Sequence, residues 1–257
     1  MQVRVITIGV GIILGTTHQR ADLFGKDYVD NAAKQCVARV QGPPPRRLLG
    51  DIPLHPVYNL PDLEDAPTTI KWPKFRAAVK EMKLMAGSMA IGKPGDSGGR
   101  QEFDALPEHM VNEWRKKFRD IKDEWLSRGV RIEWHIIEGF VLYYDPEVVK
   151  SLDIRFFLRS PGSVLKRRRE SRRYVQPDGT VWVDPPHFWE HLAYPAYIRS
   201  HSHFFCNGDI EQGAPSQEAK SANLIMLEGE GTAQGLSPQD IFQRAAHVIL
   251  QESGCKH

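Results

Sequence analysis

Four short apolar runs along the chain predict buried β-strands. They lie at Val3–Val10, Val130–Phe140, Ile154–Leu158 and Leu224–Leu227. Each run consists mainly of β-branched or other large apolar residues, which favours strands that are buried on both faces. Such continuous runs are typical of a parallel sheet that is covered by helices.

Helical periodicity separates these runs. The stretches Trp72–Leu84, Pro107–Leu126 and Ser237–Gln251 place large apolar residues three or four positions apart, with charged residues between them. Pro73 is acceptable in the first turn of a helix, and Ser237 is a suitable cap for the third helix. Strands that alternate with helices predict an α/β domain.

Two segments lack both patterns and are expected to be loops. Gln41–Gly50 contains three consecutive prolines, and Gly92–Gly99 contains four glycines. No internal repeat and no clean boundary divides the chain, so we expect residues 1–257 to form a single domain.

Composition and charge exclude several classes of protein. The chain is 41% hydrophobic and 26% charged, which is sufficient for a buried core and unlike a disordered or collagen-like chain. Its net charge of +2 gives no general electrostatic basis for binding nucleic acid or a membrane. Val5–Gly15 is too short for a membrane helix and lacks a signal-peptide cleavage site. Cys36, Cys206 and Cys255 form no pair motif, which favours a reducing compartment and predicts a cytoplasmic protein.

The densest candidate for chemistry is the basic run Lys166–Tyr174, KRRRESRRY, with six bases and one acid. It follows a predicted strand, and Ser163 can cap a helix across it. Arginine suits multidentate recognition of phosphate, so the run is a candidate anion-binding site. A solvated basic face remains an alternative. A nucleic-acid-binding segment is a second alternative, which sparse aromatic residues and the low net charge disfavour.

Glu138 lies near the end of the second apolar run, at the position where parallel sheets bind ligands. It is a candidate for ordering a magnesium-bound water, with a structural ion pair as the alternative. The residues His187, His191, His201, His203 and Cys206 match no zinc spacing, so we expect no metal site there. The aromatic residues of the same segment are expected to pack in the core. They are Trp182, Phe188, Trp189, Tyr194 and Tyr197.

Several motifs then follow one another in a recognisable order. They are IIEGF at 136–140, FFL at 156–158, the basic run, and VWVDPPHFWEHLAYPAY at 181–197, preceded by LEDAPTTIKWPKF at 63–75. In order, spacing and chemistry these motifs resemble the nicotinamide riboside kinases, most closely the fungal form. The resemblance implies a three-layer P-loop kinase fold of the α/β class, with a central parallel sheet and an arginine-rich lid at about 161–186.

The resemblance also implies an activity. Kinases of this family transfer the γ-phosphoryl group of ATP, with Mg²⁺, to the 5′-hydroxyl of nicotinamide riboside, which yields nicotinamide mononucleotide for NAD salvage. The implied partners are ATP and a small nucleoside, with neither nucleic acid nor membrane. The oligomeric state stays open. A related uridine-type nucleoside kinase is an alternative, since packing around the base sets nucleoside choice.

Several residues occupy motif positions that have known roles in the family, and the resemblance implies the same roles here. Arg168, Arg172 and Tyr174 match nucleotide-contacting positions of the lid, and Arg169 matches a position that reaches the substrate. Asp65 matches the acid that holds the ribose hydroxyls, and a carboxylate is well suited to accept from two vicinal hydroxyls.

The first fifty residues depart from the family pattern. A phosphate loop has the motif G-x-x-x-x-G-K-[ST], whereas this chain reads GVGIILGTT at 9–17, without a lysine between Gly15 and Thr16. The ATP-binding candidates here are Gly11, Gly15, Thr16 and Thr17, and Thr16 is the candidate Mg²⁺ ligand.

The catalytic candidates are Glu138, which matches the acid of the family's E-G-F motif, and Asp51. The family's Asp-Asp-Phe segment is missing, and Asp51 is the acid nearest to its expected place. Two explanations of the departure remain. Residues 1–50 can stem from a missed intron or a frame shift, or the chain can be a nucleoside- or nucleotide-binding protein that has lost catalysis.

Overall fold

Parallel strands form the central sheet of the protein. The computed structural model describes residues 2–11, 37–40, 53–59, 62, 65–84, 106–171, 174–175 and 181–254. Its strands are β1 (Gln2–Gly11), β2 (Val37–Val40), β3 (Val130–Gly139), β4 (Ile154–Arg159), β5 (Tyr174–Val175), β6 (Val181–Trp182) and β7 (Leu224–Glu228). Five of them form one all-parallel sheet in the order β2-β3-β1-β4-β7, while β5 and β6 form an antiparallel pair.

Helices cover both faces of this sheet. They are α1 (Ala66–Thr69), α2 (Trp72–Leu84), α3 (Glu108–Ser127), α4 (Pro146–Ser151), α5 (Gly162–Glu170), α6 (Tyr194–His201), α7 (Gln217–Ser221) and α8 (Pro238–Ser253). On one face, Ile8 and Val10 share a core cluster with residues of α3 and α8. On the other, Ile137 and Phe157 share a cluster with residues of α2, α4, α5 and α6. The expected three-layer α/β arrangement is therefore confirmed.

The elements predicted from apolar patterns are confirmed. The four predicted strands appear as β1, β3, β4 and β7, with ends that differ by one residue. The three predicted helices appear as α2, α3 and α8. Ser237 caps α8, because its hydroxyl accepts from the Asp240 amide at 3.1 Å while the Asp240 carboxylate accepts from the Ser237 amide at 3.2 Å.

Two details differ from the sequence-based expectations. The pattern did not predict β2, whose four residues are too few to show a period. The expectation that Ser163 caps the basic helix is wrong, because α5 already begins at Gly162 and Pro161 occupies the cap position. The predicted loops at 41–50 and 92–99 lie outside the described residues.

The strand order, with α5 directly after β4, is consistent with the P-loop kinase fold. Within the described ranges, the helices are too short or too polar for any of them to cross a bilayer.

Candidate active site

The carboxyl ends of the five parallel strands lie along one edge of the sheet. β1 is central, with β3 on one side and β4 on the other. The chain passes from β1 to β2 on the first side and later reaches β4 on the second. Such a change of direction opens a crevice at the carboxyl ends of the strands, where α/β proteins bind ligands. This edge is therefore the candidate active site.

Glu138 and Gly11 lie together at this edge. In the register of β1 and β3, Glu138 pairs with Val10 and Gly139 pairs with Gly11. A Cβ atom on Gly11 would overlap the ring of Tyr143, so packing alone requires glycine there. Glu138 thus lies beside Val10, at the end of β1 and within the segment 9–17 that is predicted to form the phosphate loop.

The basic helix α5 is held by acids from other parts of the chain. Lys166 Nζ lies 2.5 Å from Glu190 Oε1. One carboxylate, that of Glu230, pairs with both Arg167 and Arg168, at 2.7 and 2.8 Å. Burial disfavours the charge on Glu230, but hydrogen bonds from the two arginines outweigh this and lower its pKa. Each of these three bases therefore has an acidic partner, although the side chains of Arg167 and Glu230 are 64% and 55% exposed.

Arg168 carries an unsatisfied donor. Its side chain is 18% exposed, and within the described part of the chain no hydrogen-bond partner reaches its buried Nη1 atom. A buried donor without a partner is unfavourable, so an anionic oxygen placed there would stabilise it. This arrangement fits the phosphate-binding role predicted for Arg168.

Arg169 is buried and contacts residues at the end of the lid and directly after it. Its Nε lies 2.5 Å from Asp184 Oδ2, and its guanidinium carbon lies 5.0 Å from the centre of the Phe188 ring. Sequence reasoning did not single out Asp184 or Phe188 as site residues. Both belong to the DPPHFW part of the family motif, which was the available signal.

Asp65 lies at the start of α1. The Thr68 hydroxyl donates to Asp65 Oδ2 at 2.5 Å. Ala66, next to Asp65, and Phe188, beneath Arg169, belong to one core cluster. The two predicted substrate-binding residues are thus attached to a common core, while Glu138 lies at the sheet edge.

Several predicted site residues lie outside the described residues. They are Gly15, Thr16, Thr17, Asp51 and Arg172. Of Tyr174 only the backbone is described, and it pairs with Trp182 in the antiparallel pair of β5 and β6. Their roles stay predictions.

A buried ion pair at the sheet edge was missed by sequence reasoning. Arg159 and Glu228 end β4 and β7, and their side chains are 11% and 9% exposed, with Arg159 Nη2 lying 2.6 Å from Glu228 Oε1. Arg159 Nη1 also donates to the Gly213 carbonyl at 2.6 Å. The pair therefore joins two strand ends to the loop at 206–214.

The histidine-rich segment contains a core histidine. His201 is 1% exposed, and its Nδ1 lies 2.9 Å from the Tyr197 carbonyl oxygen. Burial lowers the pKa of His201 to about 4, so this imidazole is neutral at physiological pH. Across the described ranges, no group of three or more His, Cys, Asp or Glu side chains is arranged to hold a metal. The predicted packing of Phe188, Trp189 and Tyr197 is confirmed, since all three are buried.

Comparison with known proteins supports the resemblance seen in the motifs. No family model matches the chain. A nicotinamide riboside kinase of Schizosaccharomyces pombe is 34% identical over 122 residues, which cover 43% of this chain and 53% of the relative. One of Saccharomyces cerevisiae is 26% identical over 163 residues, covering 63% and 65%. One of Eremothecium gossypii is 34% identical over 106 residues, covering 41% of each chain.

The fold is that of an α/β protein with a parallel sheet, and it is consistent with the P-loop kinase type. Within that class, the chain is similar to curated fungal nicotinamide riboside kinases at 26–34% identity, as the motifs indicate. The matches span 41–65% of the lengths of these relatives, roughly half.

Proposed function

We propose that this chain is an ATP-dependent kinase that phosphorylates the 5′-hydroxyl of nicotinamide riboside to give nicotinamide mononucleotide. The observation that carries the proposal is the buried Nη1 atom of Arg168, on a basic helix that begins at the carboxyl edge of a parallel sheet. A triphosphate supplies the oxygens that this donor needs. The choice of nicotinamide riboside as the nucleoside rests on the names of the fungal relatives.

In this proposal, residues 1–257 act as one kinase-like domain with a lid at about 161–186. The residues assigned to ATP are Gly11, Gly15, Thr16, Thr17, Arg168, Arg172 and Tyr174, with Thr16 as the Mg²⁺ ligand. Magnesium neutralises charge on the phosphates when it is bound, and arginines of the lid stabilise the charge that develops on the transferred group.

The riboside is assigned to Asp65 and Arg169. Asp65 accepts hydrogen bonds from the two ribose hydroxyls, and Arg169 is rigid because Asp184 and Phe188 hold it. The 5′-oxygen forms a bond to the γ-phosphorus while the bond to the β,γ-bridging oxygen breaks. The hydroxyl proton passes to a carboxylate, for which Asp51 and Glu138 are the candidates.

A second candidate function follows from the loop at 9–17, where no lysine stands between Gly15 and Thr16. Loss of that charge weakens stabilisation of the transferred phosphoryl group far more than it weakens folding. The chain would then bind nucleoside or nucleotide without turnover. Insertion of a lysine between Gly15 and Thr16 should increase turnover if the loop is a damaged phosphate site.

The decisive experiment is a turnover assay of the purified chain with ATP, Mg²⁺ and nicotinamide riboside, and with uridine in a parallel reaction. Formation of the mononucleotide is followed by chromatography. Arg168→Ala should lower kcat/KM by about 100-fold, whereas Arg199→Ala, which removes an exposed cation from α6, should leave it unchanged. Binding of ATP and riboside without turnover favours the second candidate, and absence of both binding and turnover refutes the two together.

A further inference from the structure

Glu211 fixes the first residue of the basic helix. Its Oε1 and Oε2 accept from the Gly162 amide at 2.9 and 3.1 Å, and the Tyr194 hydroxyl donates to Oε1. Pro161, at the cap position, has no side-chain acceptor. A carboxylate from a segment 49 residues away therefore takes the place of a local cap, at the end of the helix where negative charge is stabilising.

The fit around Gly162 is close. A Cβ atom at this position would lie 2.8 Å from Glu211 Oε1 and 2.9 Å from the Tyr194 ring. Burial and the neighbouring Glu211 carboxylate raise the pKa of Tyr194, which keeps its hydroxyl protonated and able to donate. The start of α5 is thus held by two side chains that also hold each other.

The loop that carries Glu211 is itself anchored to the sheet. Asp209 Oδ1 accepts from the Glu211 amide at 3.0 Å, which fixes the turn. Arg159 donates to the Gly213 carbonyl at 2.6 Å and pairs with Glu228 at the end of β7. A continuous series of contacts therefore leads from the sheet edge through Glu211 to α5.

We propose that Glu211 is a positioning residue for the kinase site, setting the direction of α5 and thereby the positions of Arg168 and Arg169. This inference rests on the proposed function. Arg169 follows Gly162 by seven residues, or about 10 Å of helix. A tilt of about 10° at the helix start would displace Arg169 by about 2 Å, and displacements of about 1 Å can lower rates by about 100-fold.

The test compares Glu211→Ala and Glu211→Gln with the control Glu218→Ala, which removes an exposed acid from the neighbouring helix α7. Glu211 borders an open groove of about 410 Å³ together with Ser163 and Lys166. Because water can reach the Gly162 amide through this groove, we expect Glu211→Ala to fold. The glutamine variant keeps an acceptor oxygen for that amide. If the alanine variant does not fold, the same measurements are made on the glutamine variant.

The measurements are amide hydrogen exchange of residues 163–171, the melting temperature, and steady-state kinetics. In Glu211→Ala, exchange in α5 should become about fivefold faster, the factor expected for a lost helix cap. The kcat should fall about tenfold or more, with KM for ATP changed less than about threefold. Glu211→Gln should restore most of the slow exchange in α5 and most of the kcat. Glu218→Ala should match the parent chain in both quantities.

Unchanged exchange in α5 of Glu211→Ala would overturn the proposal. Faster exchange throughout the chain, with a lower melting temperature, would also overturn it by giving Glu211 only a general role in stability. A parent chain without turnover would refute the kinase function instead, while exchange in α5 would still decide whether Glu211 positions the helix.

Discussion

The contact between Arg169 and Asp184 allows a quantitative test of the candidate site. Asp184→Asn preserves the shape of the side chain but removes the charge that faces the guanidinium group. The two side chains are only 9% and 15% exposed, so water can replace little of the lost interaction. Breaking a buried pair from one side costs about 3 kcal/mol. We expect the free energy of unfolding to fall by about that amount.

The assay is urea denaturation followed by tryptophan fluorescence, with calorimetric titration of nicotinamide riboside into the folded protein. Because Arg169 loses the group that orients it, riboside affinity should fall about tenfold, whereas ATP affinity should change little. Glu147→Gln is the matched control. It breaks the exposed pair with Lys150 and should alter neither quantity measurably.

A loss of less than about 1 kcal/mol, together with unchanged riboside affinity, would refute this reasoning. Arg169 would then not depend on Asp184 for its position. The substrate role assigned to Arg169 would lose its structural basis, because an arginine that Asp184 does not orient offers no preorganised contact to the riboside.

Three further predictions concern other parts of the molecule. Because the pKa of His201 is lowered to about 4 in the folded protein, the free energy of unfolding should be highest above pH 6.5 and should fall by up to about 3 kcal/mol as the pH falls towards 4. Urea unfolding at several pH values should show this decrease, and His201→Gln should remove it. Glu230→Gln removes an anion that competes with phosphate for Arg168, so calorimetry should show ATP binding about threefold to tenfold tighter, and weaker binding would contradict the competition. Gly11→Ala should lower the free energy of unfolding by about 1–3 kcal/mol through overlap with Tyr143, and an unchanged urea midpoint would count against that packing.

The elements of the fold were predictable where their signal is local. The runs that became β1 and β4 are largely apolar because both faces of these strands are mostly buried. In β3, polar residues alternate with apolar ones, yet Glu133 and His135 are buried as well. The four residues of β2 carry too little pattern to stand out from their surroundings. The helices α3 and α8 were predictable because one side of each packs on the sheet, which gives their sequences a helical period of apolar residues.

The partners of the basic helix could not be predicted from the periodicity of the sequence, because they come from distant parts of the chain, and for Asp184 alone a family motif offered a signal. Asp184 lies 15 residues from Arg169, Glu230 lies 62 residues from Arg168, and Glu211 lies 49 residues from Gly162. No periodicity links such positions. The expectation that Ser163 caps α5 used a valid local rule, but the fold supplies a carboxylate from another loop, which replaces the local cap.

The end of β1 and the atypical loop that follows it differ in what they contribute to the protein. The end of β1 is fixed by its pairing with β3 and β4 and by the Tyr143 ring against Gly11. These contacts are made by β1 with β3, β4 and Tyr143. We expect them to form whether or not a lysine stands before Thr16. A chain with this fold can keep its stability and the arginines that we assign to ATP while its rate of phosphoryl transfer depends on the loop. Turnover therefore distinguishes a kinase from a binding protein here, and stability does not.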